Sequence, residues 1–423
     1  MDTANLKLWA ISKSDVPVED RSNTPFSLPE HLLRFRWKRE ETVGVGSDAD
    51  DKLRINSVLN GVSWLLAKGV PATRTLNVVL GVEPSDLDEK GRLAEHIGAI
   101  STLVRAKRQG PRVRVWSTAV GGEPEQIAVA PTEFAPEKPT EWNRMLMCAQ
   151  SAKITGMAKA LVDKVQHPSL ALYPKLSSLS GPEPWQVRLD GAEIGRVGEE
   201  TFTLKLKTRN LNARGQPREG WLEAELSPEK TFNLDQVGSA AASIKALIEV
   251  WSRDRAPGST LNNGHPEHGL EAHILSGRLE LNGSQGLLRL VVPPSGGKLS
   301  AAQFPTLWGN VSRPWRYLDV LLADASGRPW AVELKDQYAA GGHGQYLRNG
   351  IAQAVLYRHF IRSAAPLDQW FEANNLSRTD CQAALAFPTA SHQAANKIDR
   401  LRDLAQRFDV EVIEFARPGD PVI

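Results

Sequence analysis

Cysteine is scarce: Cys148 and Cys381 are the only two in 423 residues. Two thiols so far apart give neither a disulfide framework nor a cysteine zinc site. No run of about 18 apolar residues occurs, and the start, Met1-Asp-Thr-Ala-Asn-Leu-Lys7, lacks a basic segment followed by an apolar one. A membrane span and a secretory leader are therefore not expected, and the expected location is cytoplasmic. Excess charge is missing too. The 51 basic and 49 acidic residues leave +2, so no overall basic field advertises nucleic acid. From Glu267 to Asp420 the two signs balance at 16 each, so affinity for a polyanion would have to come from placement or from the N-terminal part. Neither Gly-x-Gly-x-x-Gly nor a Gly-Lys-Ser/Thr loop follows a strand, which removes the usual nucleotide fingerprints. No internal repeat is evident.

What is present is concentrated near the C-terminal end. Tyr317-Leu-Asp-Val-Leu-Leu-Ala323 and Trp330-Ala-Val-Glu-Leu-Lys-Asp336 are rich in Val, Leu and aromatics and flank Asp324-Ala-Ser-Gly-Arg328. The flanks predict two antiparallel strands, and the Asp, Ser and Gly between them predict the turn. If the turn is symmetric about Ser326, Asp319 lies opposite Glu333. Alternation puts Leu318, Val320, Leu322, Trp330, Val332 and Leu334 on an apolar face. Tyr317, Asp319, Leu321, Ala331, Glu333 and Lys335 share the other.

Carboxylates directly opposite on a ladder have Cβ atoms about 5 Å apart and repel. A cation between them, or full solvation, makes the pair tolerable. Mg2+ is a hard cation that takes one or two carboxylates and keeps several waters; Mn2+ suits similar oxygen donors. Lys335 is on the same face as Glu333, where an ammonium can orient a metal-bound water or offset charge growing on a phosphate. The plain alternative is the wet face of an ordinary hairpin.

These residues resemble the PD-(D/E)XK nuclease superfamily, which sets an Asp on one strand and (Asp/Glu)-x-Lys on the next. Leu318 stands where the motif's Pro would be. The loop Ala339-Ala-Gly-Gly-His-Gly344 is followed by a predicted helix from Gln345 to about Ile361, where Gln353 and Tyr357 fall at i, i+4 on one face. That Gln-x-x-x-Tyr is similar to the extra motif of RecB-like members. The resemblance covers about residues 267 to 415. It implies a restriction-endonuclease-like αβββαβαβ core, a metal held by Asp319, Glu333 and the Leu334 carbonyl, and catalysis by these with Lys335, Gln353 and Tyr357. Superfamily members often carry a further Glu on the preceding helix, which makes Glu271, on the helix expected from His268 to about Leu281, a candidate. The implied activity is metal-dependent hydrolysis of DNA. A narrower resemblance is to the Shedu type of antiphage nuclease, which implies a bacterial restriction or defence setting.

The rest of the chain predicts an α/β protein in three parts: a mixed α/β region over 1–175, a small β-rich region with a helix over 176–255, and the nuclease domain over 256–423. In the first part, Leu32-Leu-Arg-Phe-Arg-Trp-Lys-Arg39 has strand period and sets Arg34, Arg36 and Lys38 on one face. There they could grip phosphates, with Phe35 or Trp37 for stacking; a solvated amphipathic face is the alternative. Helices are expected over Asp51–Lys68 and Asp88–Arg108. Strands over Thr75–Val82 and Arg112–Ala119, with the second helix between them, predict a βαβ unit. Arg105, Lys107, Arg108, Arg112 and Arg114 cluster at that helix end and strand, either for nucleic acid or as charge favoured by the helix dipole. One long helix is expected from Thr140 to about Val165, and a linker from Ala256. His265, His268 and His273 do not make a zinc site, since a Pro separates the first two and no second cluster completes it.

DNA is the expected partner. A regulatory partner or signal at the N-terminal region is a second, and double-strand cutting favours a homo-oligomer. Two rivals stay open: a dormant nuclease fold used for DNA binding or assembly, and an N-terminal region that is itself the active part.

Overall fold

The computed structural model describes residues 1–18, 32–46, 75–81, 112–119, 122–127, 140, 143–148, 153–174, 185–189, 191–205, 229–253, 266–291, 302–306, 316–336, 345–389 and 395–416. The protein is mixed α/β, and among these residues the strands form three sheets drawn from successive stretches of chain. The helices expected over 51–68 and 88–108 fall outside the described residues, as does the linker expected from 256 to 267 except for Pro266 and Glu267, which are helical.

Helix α1 (Thr3–Lys13) starts at Asp2, whose carboxylate accepts from the Asn5 amide at 2.8 Å. It covers the first sheet, β1 (Leu32–Trp37), β2 (Glu40–Val45), β3 (Thr75–Leu80), β4 (Arg112–Ser117) and β5 (Glu125–Ile127), in that order. Strands β2, β3 and β4 are parallel, as a βαβ reading requires, and β1 and β5 run antiparallel at the edges. Leu33, Phe35, Trp37 and Val79 pack under Leu6 and Ala10 of α1. On the opposite face Val43, Val45, Leu76, Val78, Leu80 and Val115 join one continuous core with Leu146 and the C-terminal helices. Asn143 fastens this junction, donating to Gln369 at 2.9 Å and accepting from the Trp370 amide at 3.1 Å.

The long helix expected up to Val165 is interrupted. Residues 143–148 are helical, 153–155 are not, and α2 runs from Gly156 to Val165. Gly156 has φ +53°, and a Cβ there would lie 2.2 Å from the Glu199 carbonyl, so a tertiary contact sets the break. The second sheet is an antiparallel meander of β6 (Leu170–Pro174), β7 (Trp185–Leu189), β8 (Ala192–Val197), β9 (Thr201–Lys205) and β10 (Glu229–Asn233). Helices α2 and α3 (Val237–Arg253) bury its inner face. A boundary after residue 175 would cut this unit, because β6 pairs with β7 and α2 packs on the same core.

Helix α4 (Pro266–Leu275) leads into the third sheet: β11 (Leu281–Gly283), β12 (Gly286–Leu290), β13 (Ala302–Thr306), β14 (Arg316–Ala323) and β15 (Pro329–Leu334). Then come α5 (Gln345–Ser363), the short α6 (Asp368–Ala373), β16 (Gln382–Pro388), α7 (Ala395–Arg407) and β17 (Val410–Phe415). Among the described residues five strands rather than three separate α4 from α5. The hairpin β11–β12 is the addition, and its turn reaches β17, where the Ser284 hydroxyl donates to Glu411 at 2.8 Å. The order is β11-β12-β14-β15-β16-β17, with β13 also on β14. Strands β14 and β15 are antiparallel, whereas β15, β16 and β17 are parallel and need helical crossovers. Helices α5, α6 and α7 cover one face and α4 with the β11–β12 hairpin covers the other.

Candidate active site

The turn between β14 and β15 is built around Asp324. One carboxylate oxygen accepts from the Ser326 amide (2.9 Å), the Ser326 hydroxyl (2.6 Å) and the Arg328 amide (3.1 Å). The other takes Arg328 Nε at 2.9 Å and the Trp330 indole at 3.1 Å. Burial works against the charge, but these donors outweigh it and bring the Asp324 pKa down to about 2. Gly327, at φ +79°, completes the reversal. Val320 pairs with Val332 and Leu322 with Trp330, a register centred on Ser326 that brings Asp319 next in line opposite Glu333.

The face bearing these carboxylates is not wet. Leu321 and Ala331 are fully buried, Glu333 is 2% exposed and Lys335 4%. Leu318, expected on the apolar face with Val320, packs instead beside Phe304 in the core under α5. Asp319 is half-buried and accepts the Leu334 amide at 2.8 Å. The Lys335 ammonium lies 2.6 Å from Glu333 Oε1, 3.1 Å from the Leu334 carbonyl and 3.2 Å from Glu267 Oε1. Burial disfavours the ammonium, yet Glu333, then Asp319 and Glu267, hold its pKa above the ordinary lysine value. Burial, then Glu333 and Glu267, push Asp319 well above the usual carboxylate range, against the opposing pull of Lys335 and the Leu334 amide.

Helix α5 closes the site from above. Gly350 faces it: a Cβ there would stand 2.5 Å from Leu385 Cδ1 and 3.0 Å from Lys335 Cγ. A Cβ here would press on the lysine stem, which glycine avoids. One turn on, the Gln353 amide meets the buried Tyr357 hydroxyl at 3.5 Å. The buried Cys381 thiol is pushed up to about 12 by burial and is no nucleophile.

Could the residues hold a divalent ion? Among the described residues no three His, Cys, Asp or Glu side chains form a ready ligand set. Mg2+ does not need one, since it binds through one or two carboxylates and keeps waters. The Asp319 and Glu333 carboxylates and the Leu334 carbonyl are donors of that kind. A cationic group, the Lys335 ammonium, already rests on two of them. The donor chemistry fits.

Glu271 lies on α4 and faces the second sheet's Arg188. It is 1% exposed and pairs with Arg188 of β7 at 3.7 Å. A helical acid that reaches Lys335 is Glu267, one turn earlier and 33% exposed. Pro266 offered the signal for it, because proline favours the first helical position and so extends the helix to include Glu267. His273 is buried on the same helix, and His265 lies outside the described residues.

The basic candidates divide. Arg34 and Arg36 share a strand face, but both turn to Glu41, at 3.1 and 3.5 Å. Lys38 leaves that face: it and Arg39 form the β1–β2 turn with φ of 54° and 61°, and its ammonium lies over the rings of Trp37 and Trp116 at 4.4 and 4.5 Å. Phe35 and Trp37 are buried against Trp9, so neither offers a face for stacking. Arg114 is exposed and 3.6 Å from Glu40, and Arg112 opens β4. Arg105, Lys107 and Arg108 lie outside the described residues. No helix among the described residues is long and apolar enough to cross a membrane. No family model, curated protein or solved structure matches this chain.

Proposed function

We propose that this chain is a Mg2+-dependent nuclease that hydrolyses DNA phosphodiester bonds, with a restriction-endonuclease-like core in its C-terminal part. One observation carries the reading: the largely buried Lys335 ammonium lies on Glu333 Oε1 and the Leu334 carbonyl, and Asp319 accepts the Leu334 amide beside them. The order of elements supports it, since a helix, an antiparallel hairpin and two parallel strands reached through helices follow the order the resemblance implies, with β11–β12 added.

Mg2+, or Mn2+ in its place, would supply a bound water of lowered pKa. Asp319, Glu333 and the Leu334 carbonyl are the groups to hold the ion. Lys335 donates to the water or to a scissile phosphate oxygen as charge grows there. Tyr357 is braced by Gln353, which is the half-buried member of that pair and the one able to reach the DNA backbone. The first two sheets are the part left to recognise DNA, a partner or a signal, in a bacterial restriction or antiphage setting. Cutting both strands calls for two sites and hence a homo-oligomer.

The test is cleavage of supercoiled plasmid and linear DNA with Mg2+, Mn2+ or EDTA, wild type beside Lys335→Ala. Cutting that requires metal and is lost in the variant is the expected result. Cutting that survives Lys335→Ala or EDTA refutes this site. No cutting with either metal favours a dormant fold used for binding.

A further inference from the structure

Lys335 is placed where a metal's ligands are. An ammonium has three N–H donors, and here each has an oxygen within reach: Glu333 Oε1 at 2.6 Å, the Leu334 carbonyl at 3.1 Å and Glu267 Oε1 at 3.2 Å. Two of these are the donors assigned above to a divalent ion. We infer that the Lys335 ammonium is the resident counter-cation of the acidic site, competes with the divalent ion for Glu333 and the Leu334 carbonyl, and must release both before they can hold it. The inference rests on the metal-dependent reading of this site.

The surroundings say which part of the lysine can move. Gly350 lies against the stem, where a Cβ would stand 3.0 Å from Lys335 Cγ, so α5 confines the stem on that side. The tip is the part that can exchange partners. Glu333 is buried beneath it, whereas Glu267 is a third exposed and stands at the open side. Release from Glu333 therefore leaves the ammonium on Glu267, facing outward. An ammonium at the mouth of the site is where an incoming phosphate would meet it. Exchange also keeps the buried carboxylates compensated throughout, since neither Asp319 nor Glu333 ever faces the interior without a cation nearby.

Mn2+ and Mg2+ binding to the metal-stripped full-length protein, measured by calorimetry on wild type and Lys335→Met, tests the competition. The variant should bind Mn2+ at least about tenfold tighter, or ~1.4 kcal/mol, because no ammonium then has to be displaced from Glu333 and the Leu334 carbonyl. Equal or weaker binding in a folded Lys335→Met overturns the inference while leaving the metal reading intact. No binding heat in either protein overturns both. A second measurement needs no variant: amine acylation of wild type, read by mass spectrometry at Lys335. Saturating Mg2+ should raise Lys335 labelling several-fold, with the exposed Lys159 and Lys205 unchanged. Labelling that stays level or falls once Mg2+ is bound overturns the inference.

Discussion

The Arg188–Glu271 pair joins β7 of the second sheet to α4, the helix that carries Glu267. Its Nη1–Oε1 separation of 3.7 Å is too long for a hydrogen bond but within reach of an ion pair, and the side chains are 10% and 1% exposed. At an effective dielectric of ~20, two unit charges at that distance attract by about 4.5 kcal/mol. Removing two such groups from water costs a comparable amount, so the intact pair stands close to a well-packed apolar replacement. A single replacement is different, because it takes the facing opposite charge away from a buried group, a loss of up to ~3–5 kcal/mol. Arg188→Met also removes the guanidinium lying 4.4 Å over the Tyr173 ring, worth ~0.5–2 kcal/mol more. Guanidinium unfolding followed by tryptophan fluorescence should therefore show Arg188→Met losing slightly more than Glu271→Leu. The double variant should lose less than either alone, with a coupling energy of at least ~2 kcal/mol. Additive losses would mean that the two charges do not sense each other, and would refute the view that they tie the second sheet to α4.

Three further outcomes follow from local geometry. Gly350→Ala should lose about 1–2 kcal/mol in the same assay, since overpacking against Leu385 and Lys335 outweighs the ~1 kcal/mol that alanine normally adds to a helix; a gain would show that α5 can lift off. Gly156→Ala should lose ~2–4 kcal/mol by thermal melting, combining αL strain with the collision against the Glu199 carbonyl. Asp324 has a depressed folded pKa of about 2, so its contribution is complete above the unfolded value near 4 and is lost as pH falls from there toward 2. Asp324→Asn should flatten that part of the stability–pH curve and cost about 1.5–3 kcal/mol at neutral pH, from hydrogen bonds to a charged acceptor.

Much of the candidate site was legible because it is local. The Asp324–Arg328 turn chemistry and the strand period set the register of Asp319 and Glu333, and the i, i+4 spacing set Gln353 beside Tyr357. What escaped depends on partners distant in sequence. The burial of Glu333 and Lys335 comes from α5 and β16, so the hairpin alone reads as one that could be wet. Glu267 was hidden because His265-Pro266 reads as linker, leaving Glu271 as the apparent helical acid. Arg188, which claims Glu271, belongs to another sheet. Lys38 was read as strand because the β1–β2 turn uses Lys38-Arg39 where φ > 0 usually selects Asn or Gly. The break before Gly156 answers to Glu199, and β6 is a short strand beside Pro168 that alternation does not reveal.

The contrast between β14–β15 and β15–β16 pairing also sets an order of assembly. The first is a hairpin closed by a five-residue turn, the kind of contact that forms in roughly 1–10 μs. The second pairs Trp330 with Gln382 and Leu334 with Ala386 in parallel and waits for the whole α5 crossover to be enclosed, a slower non-local step. Asp319, Glu333 and Lys335 thus meet while water still surrounds them, and each carboxylate finds its register as an ordinary solvated residue. The cost of drying them falls later, when α5 docks through Gly350. A chain that had formed the hairpin but not docked this helix would have its acidic groups aligned and hydrated, so α5 is expected to close late, over a site whose geometry is already set.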